Sequence, residues 1–413
     1  MSGSRTGSHA AVQAGADPGT GGSAVDFVSL REQTPGVARS IHLNAAGASL
    51  LAEPVIAAVT DHLAEEARWG GYEAAERHAE RIADIYPAAA AMLNCQSEEI
   101  AFVESATRGW DMAFYAIPLG PGDRVLTSVA EYASNYIAFL QVARRTGAKI
   151  EVVPNDEAGQ LCVRAMANMI DDRVKLVAVT HVPTNGGLVN PAAEIGTVTR
   201  AAGVPFLLDA CQSAGQLPLD VQKINCDLLS FTGRKYLRGP RGTGILYARR
   251  EIAEQLEPPL LDLHAATWVS RDSYTLQPGA RRFECWESNV PGKVGLACAI
   301  RCALDIGVER IERRVAALAS HLRALLAELP GVSIRDEGSH PCGIVTFTAE
   351  RRDPRELRDA LLAEGVSVWY SETSSTRIDM EERDLTAVTR CSVHYYNTTD
   401  ELDRFATKLR TLL

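Results

Sequence analysis

Between about residues 99 and 248 the chain repeats one rhythm: a short apolar run, a polar turn, then a longer stretch with apolar residues three and four apart. The apolar runs are IAFV (100–103), RVLTS (124–128), KIEVVP (149–154), VKLVAVT (174–180), PFLLDA (205–210), DLLSFT (227–232) and GILYA (244–248). Several are apolar at successive positions rather than alternating, as in strands covered on both faces. Intervening stretches such as 135–146 and 192–202 carry the helical period. Strand and helix in alternation predict an α/β fold around a mainly parallel seven-stranded sheet. In such sheets ligands gather at the carboxyl ends of the strands.

The rhythm changes in the last third. A helical run over about 294–329, the Pro330-Gly331 turn, VSIRDEG, GIVTFTA, a helix near 354–364, VSVWYS and a last helix after Asn397 predict a smaller C-terminal α+β domain. The expected boundaries are a mobile tail over 1–26, a large α/β domain over 27–255 and the small domain over 256–413. The first segment of the large domain is free to pack on the small one.

Composition narrows the function classes. Hydrophobic content of 46% and charged content of 23% are those of an ordinary globular protein. A net charge of −10 argues against nucleic acid or a membrane surface as partner. No apolar run approaches the ~20 residues needed to cross a bilayer. The Gly-, Ser- and Ala-rich start has no stretch of signal-peptide type and too little apolar surface to fold. Nine scattered cysteines, without a CxxC pair or a His/Cys cluster at metal spacing, read as reduced thiols of a cytoplasmic protein with no metal site.

Chemistry concentrates where strands end. Ser105 and Thr107 follow IAFV at a strand-to-helix junction, where free N–H groups bind phosphate or a hydroxyl simply caps the helix. Asp209 closes PFLLDA; an acid there needs a partner, a helix cap or a cationic ring nitrogen. DLLSFT leads into SFTGRKYLRGPRGTG, with four basic residues, four glycines and no acid. Singly, Lys235 would be a solvated surface lysine. Together, an anion cradle, an acid and a lysine at strand ends are the parts a pyridoxal phosphate enzyme requires.

From HLNAAGAS (42–49) to HYYNTTDELDRF (394–405), the sequence resembles the class V aminotransferase family of fold-type I pyridoxal phosphate enzymes, the group that includes cysteine desulfurases. The resemblance implies a homodimer that binds pyridoxal 5′-phosphate and acts on a small-molecule amino-acid substrate. It implies that Lys235 bonds the cofactor and moves the substrate's Cα proton. Asp209 would meet the ring nitrogen and Gln212, in DACQ, the phenolic oxygen, with Thr184 close by. Ala106, Thr107, Thr232 and Arg234 would hold the phosphate. Tyr132, in EYASN, would stack on the ring where relatives have a histidine in E-H-x-x-N. Arg390 would clamp the substrate carboxylate, with Asn44 nearby.

Departures from the family pattern direct the expected reaction. Desulfurases carry a nucleophilic cysteine on a loop upstream of the arginine, and SETSSTRIDMEERDL (371–385) contains none. Cys391 neighbours Arg390 on a strand, so it faces the opposite way. Trp286-Glu287 replaces the Gly-Thr that relatives often use at a cross-subunit phosphate contact. GRKYLRGPRGTG, SSTR-D and SVHYYNT resemble the subgroup around hercynylcysteine sulfoxide lyase. The expected reaction is therefore β-elimination at the C–S bond of a cysteine S-conjugate. Transamination or decarboxylation of a related amino acid is the alternative, and cysteine desulfuration and a non-catalytic cofactor-binding role are set aside.

Overall fold

In the computed structural model, residues 25–413 are described. The tail expected over 1–26 lies almost wholly outside them; Asp26 instead caps the helix Phe27–Glu32, accepting from the Val28 and Ser29 amides. The seven expected strands form one sheet: β1 (Ile100–Val103), β2 (Arg124–Ser128), β3 (Lys149–Val153), β4 (Val174–Thr180), β5 (Phe206–Asp209), β6 (Leu228–Thr232) and β7 (Gly244–Ala248). Their order is β1-β7-β6-β5-β4-β2-β3, with β7 antiparallel to its neighbours and the rest parallel. Every residue of β1, β2, β5, β6 and β7 is buried, which accounts for their uninterrupted apolar runs. Because β7 runs the other way, its first residue, Gly244, lies beside Val103 and Thr232 at the carboxyl edge of the sheet. A Cβ there would come within 2.8 Å of the Ala106 amide nitrogen, so only glycine lets β7 pass the following helix.

A second sheet of four antiparallel strands follows: β8 (Val332–Ile334), β9 (Ile344–Ala349), β10 (Trp369–Glu372) and β11 (Ala387–Ser392), ordered β8-β9-β11-β10. The helical run expected over 294–329 is two helices, Val290–Ile306 and Val308–Ala327. Gly307 separates them at φ 89°, a left-handed conformation that ends the first helix. The first of the pair packs back on the helices Glu53–Trp69 and Ile85–Leu93. Near the chain's beginning, Ile41–His42 pairs in parallel with Val366–Ser367, and Asn44 bridges to Ser392. These pairings bring the turn at 44–49 against the ends of the large sheet, where Ser49 N donates to the Arg234 carbonyl.

Candidate active site

The carboxyl edge of the large sheet encloses a pocket. Its lining includes Ala106 and Thr107 after β1, Thr180 and Thr184 at and beyond β4, Asp209, Cys211 and Gln212 after β5, and Thr232, Arg234 and Lys235 after β6, with Tyr132 across from them. All nine residues expected to hold the cofactor are thus brought together. Ser105 lines it too, but its hydroxyl accepts from the Arg108 amide at 3.1 Å and is the helix cap. Of the first amides of the helix Ala106–Phe114, that of Arg108 is taken by the Ser105 cap, while those of Ala106 and Thr107, residues of the lining, have no acceptor within the helix.

Lys235 makes no side-chain hydrogen bond or salt bridge among the described residues. Burial, with Arg234 and Arg390 near, lowers its pKa to about 8, against an opposing pull from Cys211 and Asp209. Asp209 Oδ1 accepts from the Cys211 amide at 2.9 Å, and Oδ2 from Asn135 Nδ2 at 2.9 Å. Gln212 donates to the Ala46 carbonyl at 3.2 Å, while its buried Oε1 has no partner. Arg234 donates to the Gly47 carbonyl. Arg390 and Asn44 stand outside the lining. Arg390, buried on β11, reaches it through Thr184, donating from Nη1 to Oγ1 at 2.5 Å; its Nε is unpartnered. Burial lowers the Arg390 pKa to about 10, which leaves the guanidinium charged at neutral pH.

The region 371–385 is more folded than a loop. It completes β10, makes a short 3₁₀ turn and forms the helix Arg377–Glu382, with Met380 and Leu385 packed on Val388. Arg377 pairs with Glu381 in solvent, whereas Asp379 is buried beside Arg383. Asn185, next to Thr184, is not in the lining and donates to Thr376 at 3.0 Å. Cys391 belongs to the main core. The thiol in the pocket is that of Cys211, which burial and Asp209 push well above the ordinary thiol range.

A family model described as aminotransferase class-V matches residues 41–405. The chain belongs to that family. Membership carries its cofactor, pyridoxal 5′-phosphate, with it. The pocket fits that group on its own chemistry: free helix amides and hydroxyls for an anion, an unpartnered buried Gln212 oxygen, and a lysine without a partner. Among class-V relatives, a probable cysteine desulfurase of Methanothermobacter thermautotrophicus is 27% identical over 90% of this chain and 94% of its own. One of Xylella fastidiosa is 32% identical over 79% of each chain. The apo structure of a cysteine desulfurase from Thermococcus onnurineus superposes with a TM-score of 0.87 at 27% identity, covering 93% and 97% of the two chains.

These relatives correct the expected reaction. β-Elimination of a cysteine S-conjugate, with desulfuration set aside, rested on the missing loop thiol and on the local resemblance of GRKYLRGPRGTG, SSTR-D and SVHYYNT to the sulfoxide lyase subgroup. The likeness to proteins named cysteine desulfurase extends over most of the chain and overturns that choice. Sequence reasoning also passed over Glu131, Asn135 and Cys211. The Glu-x-x-x-Asn spacing of EYASN and the central cysteine of DACQ were the available signals.

Proposed function

We propose that this class-V enzyme releases sulfur from L-cysteine, the activity its relatives are named for. The observation that carries the reading is the convergence of Lys235, Asp209 and an anion cradle in one pocket of a chain so closely related to those proteins. Bound pyridoxal phosphate supplies an electron sink for charge developing on the substrate's Cα. Thr107, Thr232, Arg234 and the first helix amides hold the phosphate. Asp209 would keep a proton on the ring nitrogen, and Tyr132 would pack against the ring. Arg390 orients the substrate carboxylate through paired hydrogen bonds, with Asn44 on the neighbouring backbone. Lys235 Nζ, easily deprotonated near neutral pH, takes the Cα proton and returns it.

Since the segment 371–385 offers no thiol, an external thiol takes the sulfur as a persulfide. The Cβ–S bond breaks, Cβ gains hydrogen in its place, and the amino acid leaves as alanine. Incubating the holoenzyme with L-cysteine and a thiol reductant should give alanine and sulfide in equal amounts; pyruvate in place of alanine overturns the reading. We also infer a homodimer, supported by the exposed Trp268, Val269 and Tyr274 on the hairpin 266–276. Light scattering should report twice the chain mass, and a fully active monomer overturns this.

A further inference from the structure

Asp209 in the pocket lining and the buried Glu131 behind it share one amide. Glu131 accepts five hydrogen bonds: from Thr127 Oγ1 at 3.0 Å, Thr180 N at 3.0 Å, Thr180 Oγ1 at 2.5 Å, Tyr132 N at 3.1 Å and Asn135 Nδ2 at 2.8 Å. The same Asn135 nitrogen donates to Asp209 Oδ2 at 2.9 Å. A primary amide has two N–H bonds, so one can point at each carboxylate. Asp209 Oδ1 is held separately by the Cys211 amide. Both oxygens of Asp209 are therefore fixed, and the bond to Oδ2 depends on an amide that Glu131 holds in place.

A purely structural reading would make Glu131 a tie between β2, β4 and the start of the helix Ala133–Thr146. That role needs no link to Asp209. The bridge through Asn135 supplies one, and it ends on the carboxylate assigned to the cofactor's ring nitrogen. We propose that Glu131 is a positioning residue: by holding the Asn135 amide it fixes the plane in which Asp209 meets the cofactor. This depends on the cofactor and not on the substrate, so it stands or falls apart from the desulfurase reading.

The test is a double-mutant cycle on the holoenzyme with Glu131→Gln, Asn135→Ala and the pair. The readouts are the pyridoxal phosphate dissociation constant and the visible circular dichroism of the bound cofactor, with thermal melts to verify folding. The Glu131→Gln change would set an NH₂ among five donors and release the Asn135 amide. Each single change should weaken cofactor binding about tenfold and diminish the visible signal. The double variant should be within about twofold of Asn135→Ala, because both changes act along one path. Effects that multiply to about a hundredfold overturn the proposal, as does a folded single variant with unchanged affinity and spectrum. Should Glu131→Gln not fold, Glu131→Asp, one methylene shorter, takes its place in the cycle with the same outcomes.

Discussion

Glu131 and Glu284 are carboxylates that the fold withdraws almost equally from water, at 3% and 5% exposure. Their surroundings push them in opposite directions. Burial raises the Glu131 pKa to about 7; the Thr180, Asn135 and Thr127 hydrogen bonds only partly oppose it, and nearby Asp209 adds to it. Burial also acts on Glu284, but His264, Lys293, the Phe102 amide and Arg281 together hold it below its ordinary value. Glu284 accepts from Tyr86 at 3.0 Å, lies 2.9 Å from His264 Nε2, and takes the Phe102 amide at 2.8 Å. Lys293 donates to the same Tyr86 hydroxyl at 2.6 Å. An acid buried with cations is a clamp, here between β1 and the outer helices. An acid buried with neutral donors beside a second acid is poised near neutrality, as site residues are.

If that contrast is sound, changes at the pocket should alter chemistry and changes at the clamp should alter stability. The largest effect is expected from Lys235→Ala: alanine formation falls at least ~10⁴-fold while the melting temperature of the folded chain barely moves. A large loss of stability would break the comparison from the pocket side. Next comes Lys293→Met, which removes a cation from the clamp and should cost about 3 kcal/mol in denaturant unfolding. Cofactor affinity of the folded variant should stay within about twofold, and a larger change would make the clamp part of the site. Arg390→Lys should raise the KM for cysteine by about 10–100-fold with kcat less affected, since an ammonium cannot reproduce the planar fork.

The pH dependence of melting sharpens the same contrast. The folded state binds the Glu284 proton less readily than the unfolded chain does, so its stabilisation is complete above pH 4.5 and is lost as the pH falls through its lowered value. The folded state holds the Glu131 proton more tightly, so its contribution declines as the pH rises from 4.5 to about 7. Glu131→Gln should therefore flatten the profile in that interval, and Glu284→Gln only below it. Smallest is Cys211→Ala. A thiol with a raised pKa is a poor nucleophile, so alanine formation should stay within about threefold of wild type. A complete loss would instead make Cys211 the sulfur acceptor.

The strands of the large sheet were legible almost to the residue, because strands buried on both faces leave continuous apolar runs that few other elements produce. That Lys235 and Asp209 would meet in one pocket was legible only from the set: an acid closing an apolar strand is costly to bury without a partner, and a lysine that alone would read as solvated follows the neighbouring strand. The break at Gly307 was not, since a glycine within an amphipathic pattern reads as a tolerated helix residue. The segment 371–385 looked like a loop because its stabilising contacts, Met380 and Leu385 on Val388, come from one side of a short helix and a later strand. Glu131 and Asn135 were passed over because nothing local marks what they join; their partners Thr180 and Asp209 are 49 and 74 positions away. The reaction was misjudged by weighing an absent thiol and three short stretches of local likeness above the likeness to desulfurases over most of the chain.

The parallel pairing of Ile41–His42 with Val366–Ser367, and of Asn44 with Ser392, has a consequence for how the enzyme comes into being. During synthesis, the turn at 44–49 must wait for strands made more than three hundred residues later. The large sheet can form before then, as domains fold while the chain emerges. The wall of the pocket next to Gln212 and Arg234 cannot. Closing this long-range seam is thus a late step in the folding of the chain, a slow kind of contact to form, and cofactor captured before it closes would be held on one side only.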